Sequence, residues 1–223
     1  MLSIDFLKKA YPYRGDFVVF EGYNGVGKTT LAKELTEKLK DKAIPSFYTH
    51  EPTKDIDEIT GKIIALDDGS LSDEDIDLNA YLLDRFKHLS NIICPLIRGG
   101  VNVVCDRYDW STLVDQDINT KERENLYLDV MNMISRNTWI QPDLYVYCYA
   151  QPKLIQQRLL ARDSTDVPLE TIRKYCDRYD RIVNFFYSRY PEKTIIFEVE
   201  GKMTLNDQIK ELYSAVSNKL DWG

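Results

Sequence analysis

The stretch that decides the fold reads Phe17-Val-Val-Phe20-Glu-Gly22-Tyr-Asn24-Gly25-Val26-Gly27-Lys28-Thr29-Thr30. Residues 17–20 form a short apolar, β-rich run. Gly22 to Thr29 spells a complete G-x-x-x-x-G-K-T, and a helical pattern follows over 29–39. Glycines at these places let the backbone curl so that successive N–H groups point inward at phosphate oxygens. The helix that follows adds its positive end, Lys28 a mobile full charge, and Thr29 a hydroxyl for Mg²⁺. Gly22, Asn24, Gly25, Val26, Gly27, Lys28, Thr29 and Thr30 are therefore expected to hold a nucleoside triphosphate.

Outward from that loop, β-rich runs recur at 46–49, 101–105, 144–149 and 194–199. Helical patterns lie between and after them, at about 75–97, 122–134, 152–161, 169–186 and 205–220. Strand then helix, repeated, predicts a parallel sheet with helices on both faces, a three-layer α/β/α arrangement around five strands. Ser72 stands three residues before Asp75, and Thr204 three before Asp207. Each pair predicts a helix start, because the hydroxyl can accept from an N–H of the first turn. Pro95 predicts a kink in the long helix, and Gly99-Gly100 its end. Leu205, Ile209, Leu212, Val216 and Leu220 recur at helical spacing and are expected to pack on the sheet. Residues 16–223 are read as one nucleotide-binding phosphate-loop domain with a short projecting segment at about 160–170, and residues 1–15 as an N-terminal arm.

The chain has 223 residues, 43% hydrophobic and 29% charged, the balance of a soluble globular protein. Its 29 Lys+Arg against 36 Asp+Glu give a net charge of −7, which argues against broad binding to nucleic acid while allowing a small basic pocket for a phosphate. No apolar run reaches the roughly 18 residues that a membrane span needs. Cys94, Cys105, Cys148 and Cys176 are widely spaced and fit free thiols in a reducing compartment, so a cytoplasmic location is expected. A guanine-reading N-K-x-D occurs at Asn218-Lys219-Leu220-Asp221, but at the end of the last helix with no strand directly before it, which disfavours a GTPase.

Val103-Val-Cys-Asp106-Arg107-Tyr108 sets an acidic residue at the C-terminal end of a strand, the edge of an open α/β sheet where ligands sit, and Asp106 is placed to hold Mg²⁺ with Thr29. Arg85 lies on the long helix one i,i+4 step after Tyr81, an aromatic plate and a guanidinium on one helix face.

Taken in order, Phe20-Glu-Gly-Tyr-Asn-Gly-Val-Gly-Lys-Thr-Thr30, Thr49-His-Glu51-Pro-Thr53, Leu82-Leu-Asp-Arg85-Phe-Lys-His88, Gly100-Val-Asn-Val-Val-Cys-Asp-Arg107-Tyr108 with Ser111, and Pro142-Asp-Leu resemble the thymidylate kinase family, over roughly residues 16 to 200. The resemblance implies the phosphate-loop kinase fold, with ATP as donor and a pyrimidine deoxynucleoside monophosphate, dTMP above all, as acceptor. By the same resemblance Arg85 and Arg107 would hold the acceptor phosphate, Tyr81 would stack on its base, and Glu51, Ser111, Thr112, Asp115 and Gln116 would line the pocket. A homodimer is compatible with it. The chain departs from the family pattern at Asn24, where an aspartate is usual, at His50 in place of an arginine, and at Asp115 in place of a tyrosine. Near Gly61 the family's arginine is absent, leaving Lys62 or Lys54. Two alternatives stay open. One is a deoxynucleoside kinase, in which Glu51 would be the base and Val167-Pro-Leu-Glu170 resembles the lid. The other is a nucleotide-binding regulatory protein without catalysis.

The reaction the resemblance implies is positioning plus neutralisation of charge on the moving phosphoryl group, by Lys28, Asp106 through Mg²⁺, Arg107, and lid arginines for which Arg158 and Arg162 are the candidates. The Lys28→Ala variant should keep its circular dichroism spectrum and thermal unfolding while losing most phosphoryl transfer in a steady-state assay, because the lysine is a point charge for the triphosphate.

Overall fold

The computed structural model describes residues 14–115 and 140–222. The helix expected over 122–134, Gln116 and nearly all of the expected N-terminal arm lie outside them. Five strands, β1 (Phe17–Glu21), β2 (Ser46–His50), β3 (Asn102–Asp106), β4 (Leu144–Tyr149) and β5 (Thr194–Glu198), make one parallel sheet in the order β2-β3-β1-β4-β5. All five strands fall within one or two residues of the expected runs. The helices are α1 (Lys28–Asp41), α2 (Ile56–Leu66), α3 (Asp73–His88), α4 (Cys94–Arg98), α5 (Asp109–Asp115), α6 (Pro152–Asp163), α7 (Leu169–Tyr187) and α8 (Leu205–Leu220).

Alternation along the strands builds two separate cores. Phe17 and Val19 on β1, with Val103 and Cys105 on β3, face α4, α5 and α7 through Ile97, Trp110 and Tyr179. Val18, Phe20 and Val104 face α1, α6 and α8 through Leu35, Ile155 and Leu212. Every residue of β1 is buried, as a central strand covered on both sides must be. The stripe Ile209, Leu212 and Val216 of α8 is buried as expected; Leu205 and Leu220 lie at its margins.

The long helical pattern resolves into three pieces. Ser72 and Asp75 form a reciprocal capping box at the start of α3. The helix then widens into a π turn at Leu89–Ile93 directly before α4, whose first turn holds Pro95. A π segment shifts the carbonyl partners around a proline that has no N–H to donate. Gly99 caps α4, and Gly100 takes φ 81° into β3. Helices α2 and α5 are additions to the expected pattern.

Backbone geometry explains the phosphate loop. Gly22 has φ 139°, and a Cβ there would stand 2.2 Å from the Cys148 carbonyl oxygen on β4, so only glycine lets the chain leave β1 at this angle. Gly27, at φ 112°, caps α1, whose first residue is Lys28. Parallel pairing then sets Phe20 of β1 beside Asp106 of β3, and the phosphate loop and the Asp106-Arg107 turn leave the sheet next to each other.

Candidate active site

Two cavities open at the C-terminal ends of the central strands, as in open α/β sheets generally. The larger, about 660 Å³, lies along the phosphate loop and is lined by Gly25, Gly27, Lys28, Thr29 and Thr30. Its outer walls are Arg158, Ala161 and Arg162 of α6 and the segment from Val199 to Leu205. The smaller, about 250 Å³, is lined by Glu51, Tyr81, Arg85, Ser111, Thr112 and Asp115. Asn24 and Arg107 line both cavities and stand where the two meet.

On the larger side, Lys28 Nζ donates to the Tyr23 carbonyl across the loop at 2.9 Å. Burial, and next the Arg107 guanidinium, lower the Lys28 ammonium to about 8. Thr29 Oγ1 donates to Asp106 Oδ2, and Asp106 Oδ1 is buried without a hydrogen-bond partner. The strand phase explains this pair, since Asp106 follows Val104 onto the face that α1 covers. A buried carboxylate oxygen left without a donor beside a hydroxyl fits a magnesium ion, which commonly takes one or two protein oxygens and completes its shell with phosphates and water. Val26 and Gly22 do not line the cavity. Val26 is turned into the core, and its carbonyl accepts from Arg158 Nη1 at 2.8 Å. Arg162 donates to Asp163 through Nε at 2.8 Å and Nη2 at 2.5 Å, at the end of α6 where the lid was expected.

At the junction, Arg107 Nη2 donates to Asn24 Oδ1 at 2.5 Å and Nη1 to Ser111 Oγ at 3.0 Å. Its backbone is left-handed, φ 70°, and its N–H is tied to the Phe20 carbonyl at 2.9 Å.

On the smaller side, Arg85 is buried beneath the cavity. Its Nε donates to Glu51 Oε2 at 2.7 Å, and Nη2 to the Tyr108 carbonyl at 2.7 Å and Thr112 Oγ1 at 2.9 Å. Burial works against its charge, but Glu51, Tyr108 and Asp109 together outweigh this and raise the guanidinium above its ordinary value. The second Glu51 oxygen, Oε1, lies 3.1 Å from His88 Nδ1, and His88 Nε2 lies 2.7 Å from Thr49 Oγ1. A carboxylate only accepts, so His88 carries its proton on Nδ1 and accepts from Thr49. Asp84, the neighbour of Arg85, accepts from the Thr53 N–H at 2.8 Å and holds the turn after Glu51. Tyr81 and Asp115 both line this cavity, and burial raises the Asp115 carboxyl above its ordinary value.

Thus every expected site residue among the described ones, apart from Gly22, Val26 and Asp106, lines one of the two cavities, and Asp106 meets Thr29 beneath the larger. Four contributors were not foreseen: Glu21, His88, Thr49 and the wall from Val199 to Leu205. Glu21 is wholly buried behind Arg107, accepting from Tyr108 N at 2.9 Å and Ser111 N at 3.1 Å. Burial raises its carboxyl to about 7, against the Ser111 hydrogen bond. His88 did stand in the quoted Asp84-Arg85-x-x-His88 run, four residues after Thr-facing Asp84, so that signal was present.

A phosphate loop closing on one cavity, with a cation shared with a second cavity, defines a phosphate-loop nucleotide kinase. The thymidylate kinase family model matches residues 20–213, and the chain belongs to that family. It is 30% identical over 214 residues to the thymidylate kinase of Orientia tsutsugamushi, covering 92% of this chain and 94% of that protein. It is 33% identical over 202 residues to the thymidylate kinase of Leptospira borgpetersenii, covering 88% and 92%. The crystal structure of thymidylate kinase from Ehrlichia chaffeensis superposes with a TM-score of 0.60 at 21% identity over 93% of this chain and 99% of the other, a likeness of fold.

The Lys28 environment predicts a proton linkage. With its ammonium lowered to about 8 in the free protein, Lys28 is partly neutral above pH 8, and triphosphate oxygens favour the charged form. ATP binding above pH 8 should therefore take up protons and weaken as pH rises. Calorimetry in two buffers of different ionisation enthalpy should show the uptake in wild type and its loss in Lys28→Ala.

Proposed function

We propose that this protein transfers the γ-phosphoryl group of ATP to the phosphate of dTMP, giving dTDP and ADP. The observation that carries the reading is Arg107, one cation lining both cavities, where an acceptor phosphate would meet the terminal phosphate of the donor. The acceptor oxygen is already ionised at neutral pH, so the site needs charge and alignment rather than a base.

The residues divide the work by position. Loop N–H groups and Lys28 grip the donor phosphates. Arg107 holds the acceptor phosphate and faces the charge that develops between the two oxygens. Arg85 lines only the smaller cavity and spends Nε and Nη2 on protein partners, so it anchors the acceptor end with Nη1, which has no partner among the described residues. Tyr81 forms the aromatic wall for the base, and Thr112 and Asp115 border the sugar. Arg158 and Arg162 supply further positive charge from α6. The Arg162–Asp163 pair is solvent-exposed and worth little, so Arg162 is free to turn to the nucleotide. Thr29 and Asp106 would hold Mg²⁺, which shields the phosphate oxygens when bound.

The nucleoside kinase alternative needs Glu51 as a base at a sugar hydroxyl. Both Glu51 oxygens are instead taken, one by Arg85 and one by His88, and the residue is buried. Four free cysteines support a reducing, cytoplasmic setting, and no described helix is long and apolar enough to cross a membrane. A homodimer is supported by the apolar row that α3 and the π turn leave open, Leu83 and Phe86 at 50% exposure and Ile92 at 36%. Sedimentation should give twice the chain mass, and Phe86→Asp the single mass.

Glu51→Gln separates the enzyme readings. Turnover of dTMP at saturating ATP should fall by about tenfold or less, the small end of what an orienting partner contributes. Wild type should leave thymidine unphosphorylated. Vigorous thymidine turnover that collapses by roughly 10² to 10⁴-fold in Glu51→Gln would install Glu51 as a base and overturn the reading.

A further inference from the structure

We propose that Glu21 is the positioning residue that fixes Arg107 for the acceptor phosphate, acting through Ser111; the inference rests on the role given to Arg107 above. Strand alternation aims Glu21 at α5 and α7, after Phe17 and Val19, and its carboxylate lines neither cavity described above. It therefore works on the substrate only through other side chains. Its Oε1 accepts from the N–H groups of Tyr108 and Ser111, and its Oε2 from Ser111 Oγ at 2.5 Å.

The chemistry of this contact sets a direction. In its ionised form Glu21 offers only acceptors, and Ser111 then spends its one hydroxyl proton on it. Both lone pairs of Ser111 Oγ are then left to accept, one from Arg107 Nη1 at 3.0 Å and one from the Tyr179 hydroxyl at 3.0 Å. Reversing the Ser111 hydroxyl would turn its proton against the guanidinium.

Glu21 also holds the backbone. Arg107 sits at φ 70°, a conformation that costs a non-glycine residue energy and persists where neighbours impose it. Its own N–H is bonded to the Phe20 carbonyl and the next N–H, of Tyr108, to Glu21. Two successive residues of β1 thus pin the two amides that flank the Arg107 Cα, so the arginine is set by the central strand.

The test is a mutant cycle read on KM for dTMP, KM for ATP and kcat. Glu21→Gln keeps the shape but supplies a donor where Ser111 needs an acceptor. Ser111→Ala removes the bridge while leaving the two backbone N–H bonds to Glu21, and serves in its place if Glu21→Gln does not fold. Each should raise KM for dTMP by about tenfold with KM for ATP changed less than about twofold. In an Arg107→Ala background, which itself raises KM for dTMP, neither should add a further increase, because the arginine they position is gone. Additive effects, or KM values for both substrates rising together, would reduce Glu21 to a structural residue and overturn the proposal. An Arg107→Ala enzyme with normal KM for dTMP would overturn both the role of Arg107 and the proposal. Normal KM in Glu21→Gln and Ser111→Ala beside a raised one in Arg107→Ala would overturn the proposal alone.

Discussion

The site depends on the parallel register of β1 against β3, which sets Phe20 beside Asp106. Phosphate loop and acceptor turn lie 77 residues apart from Thr29 to Asp106; they are neighbours because two strands buried on both faces have one pairing that keeps Phe17, Val19, Val103 and Cys105 in one core and Val18, Phe20 and Val104 in the other. A slip by one residue would move Asp106 away from Thr29 and send Glu21 to the α1 side. The apolar packing that stabilises the sheet and the geometry that aligns donor and acceptor are thus a single constraint.

Buried charge is the second organising element. Arg85 and Glu51 form a buried ion pair, continued through hydrogen bonds by way of His88 to Thr49 at one end and to Thr112 at the other, almost without contact with water. Buried ion pairs gain little net stability over apolar packing, since desolvation offsets most of the attraction. Their use here is geometric. Arg85 has three of its five N–H donors tied in fixed directions, and its guanidinium stacks on the Tyr108 ring with 4.7 Å from Cζ to the centroid. Orientation is settled before any ligand arrives, which lowers the entropic cost of binding.

Much of this was legible in the sequence because the informative signals were local. The phosphate loop, the strand runs, the Ser72 and Thr204 caps and the Asp106-Arg107 turn each declare themselves within a few residues. What was missed depends on tertiary contact. Helix α2 buries only Ile59 and leaves Ile64 and Leu66 exposed, so its apolar residues give no clean stripe. Helix α5 spans seven residues and is buried almost throughout, with no polar face to mark a period. Glu21 stands one residue before the motif and reads as a strand end; only the folded chain sets it against Ser111 ninety positions later. The cavity wall from Val199 to Leu205 has no motif, since it is the loop between β5 and α8 and contributes shape.

The electrostatics of the junction couple the two cavities. An acidic chain of net charge −7 gathers Lys28, Arg85 and Arg107 around two adjoining cavities. Asn24 accepts from Arg107 through a neutral carbonyl, so the guanidinium is held without being neutralised. Lys28 registers the consequence, its ammonium lowered to about 8 by burial and by Arg107. In the free protein the two cations work against each other. Phosphate oxygens relieve that repulsion, and relieve it most when charge is spread over donor, moving group and acceptor between them. Interaction energy that is unfavourable before binding and favourable at the transition state is the differential binding that accelerates a reaction. The neutral Asn24 and the buried clamp behind Arg107 serve the same end, a positive charge fixed in place and left for the substrate to satisfy.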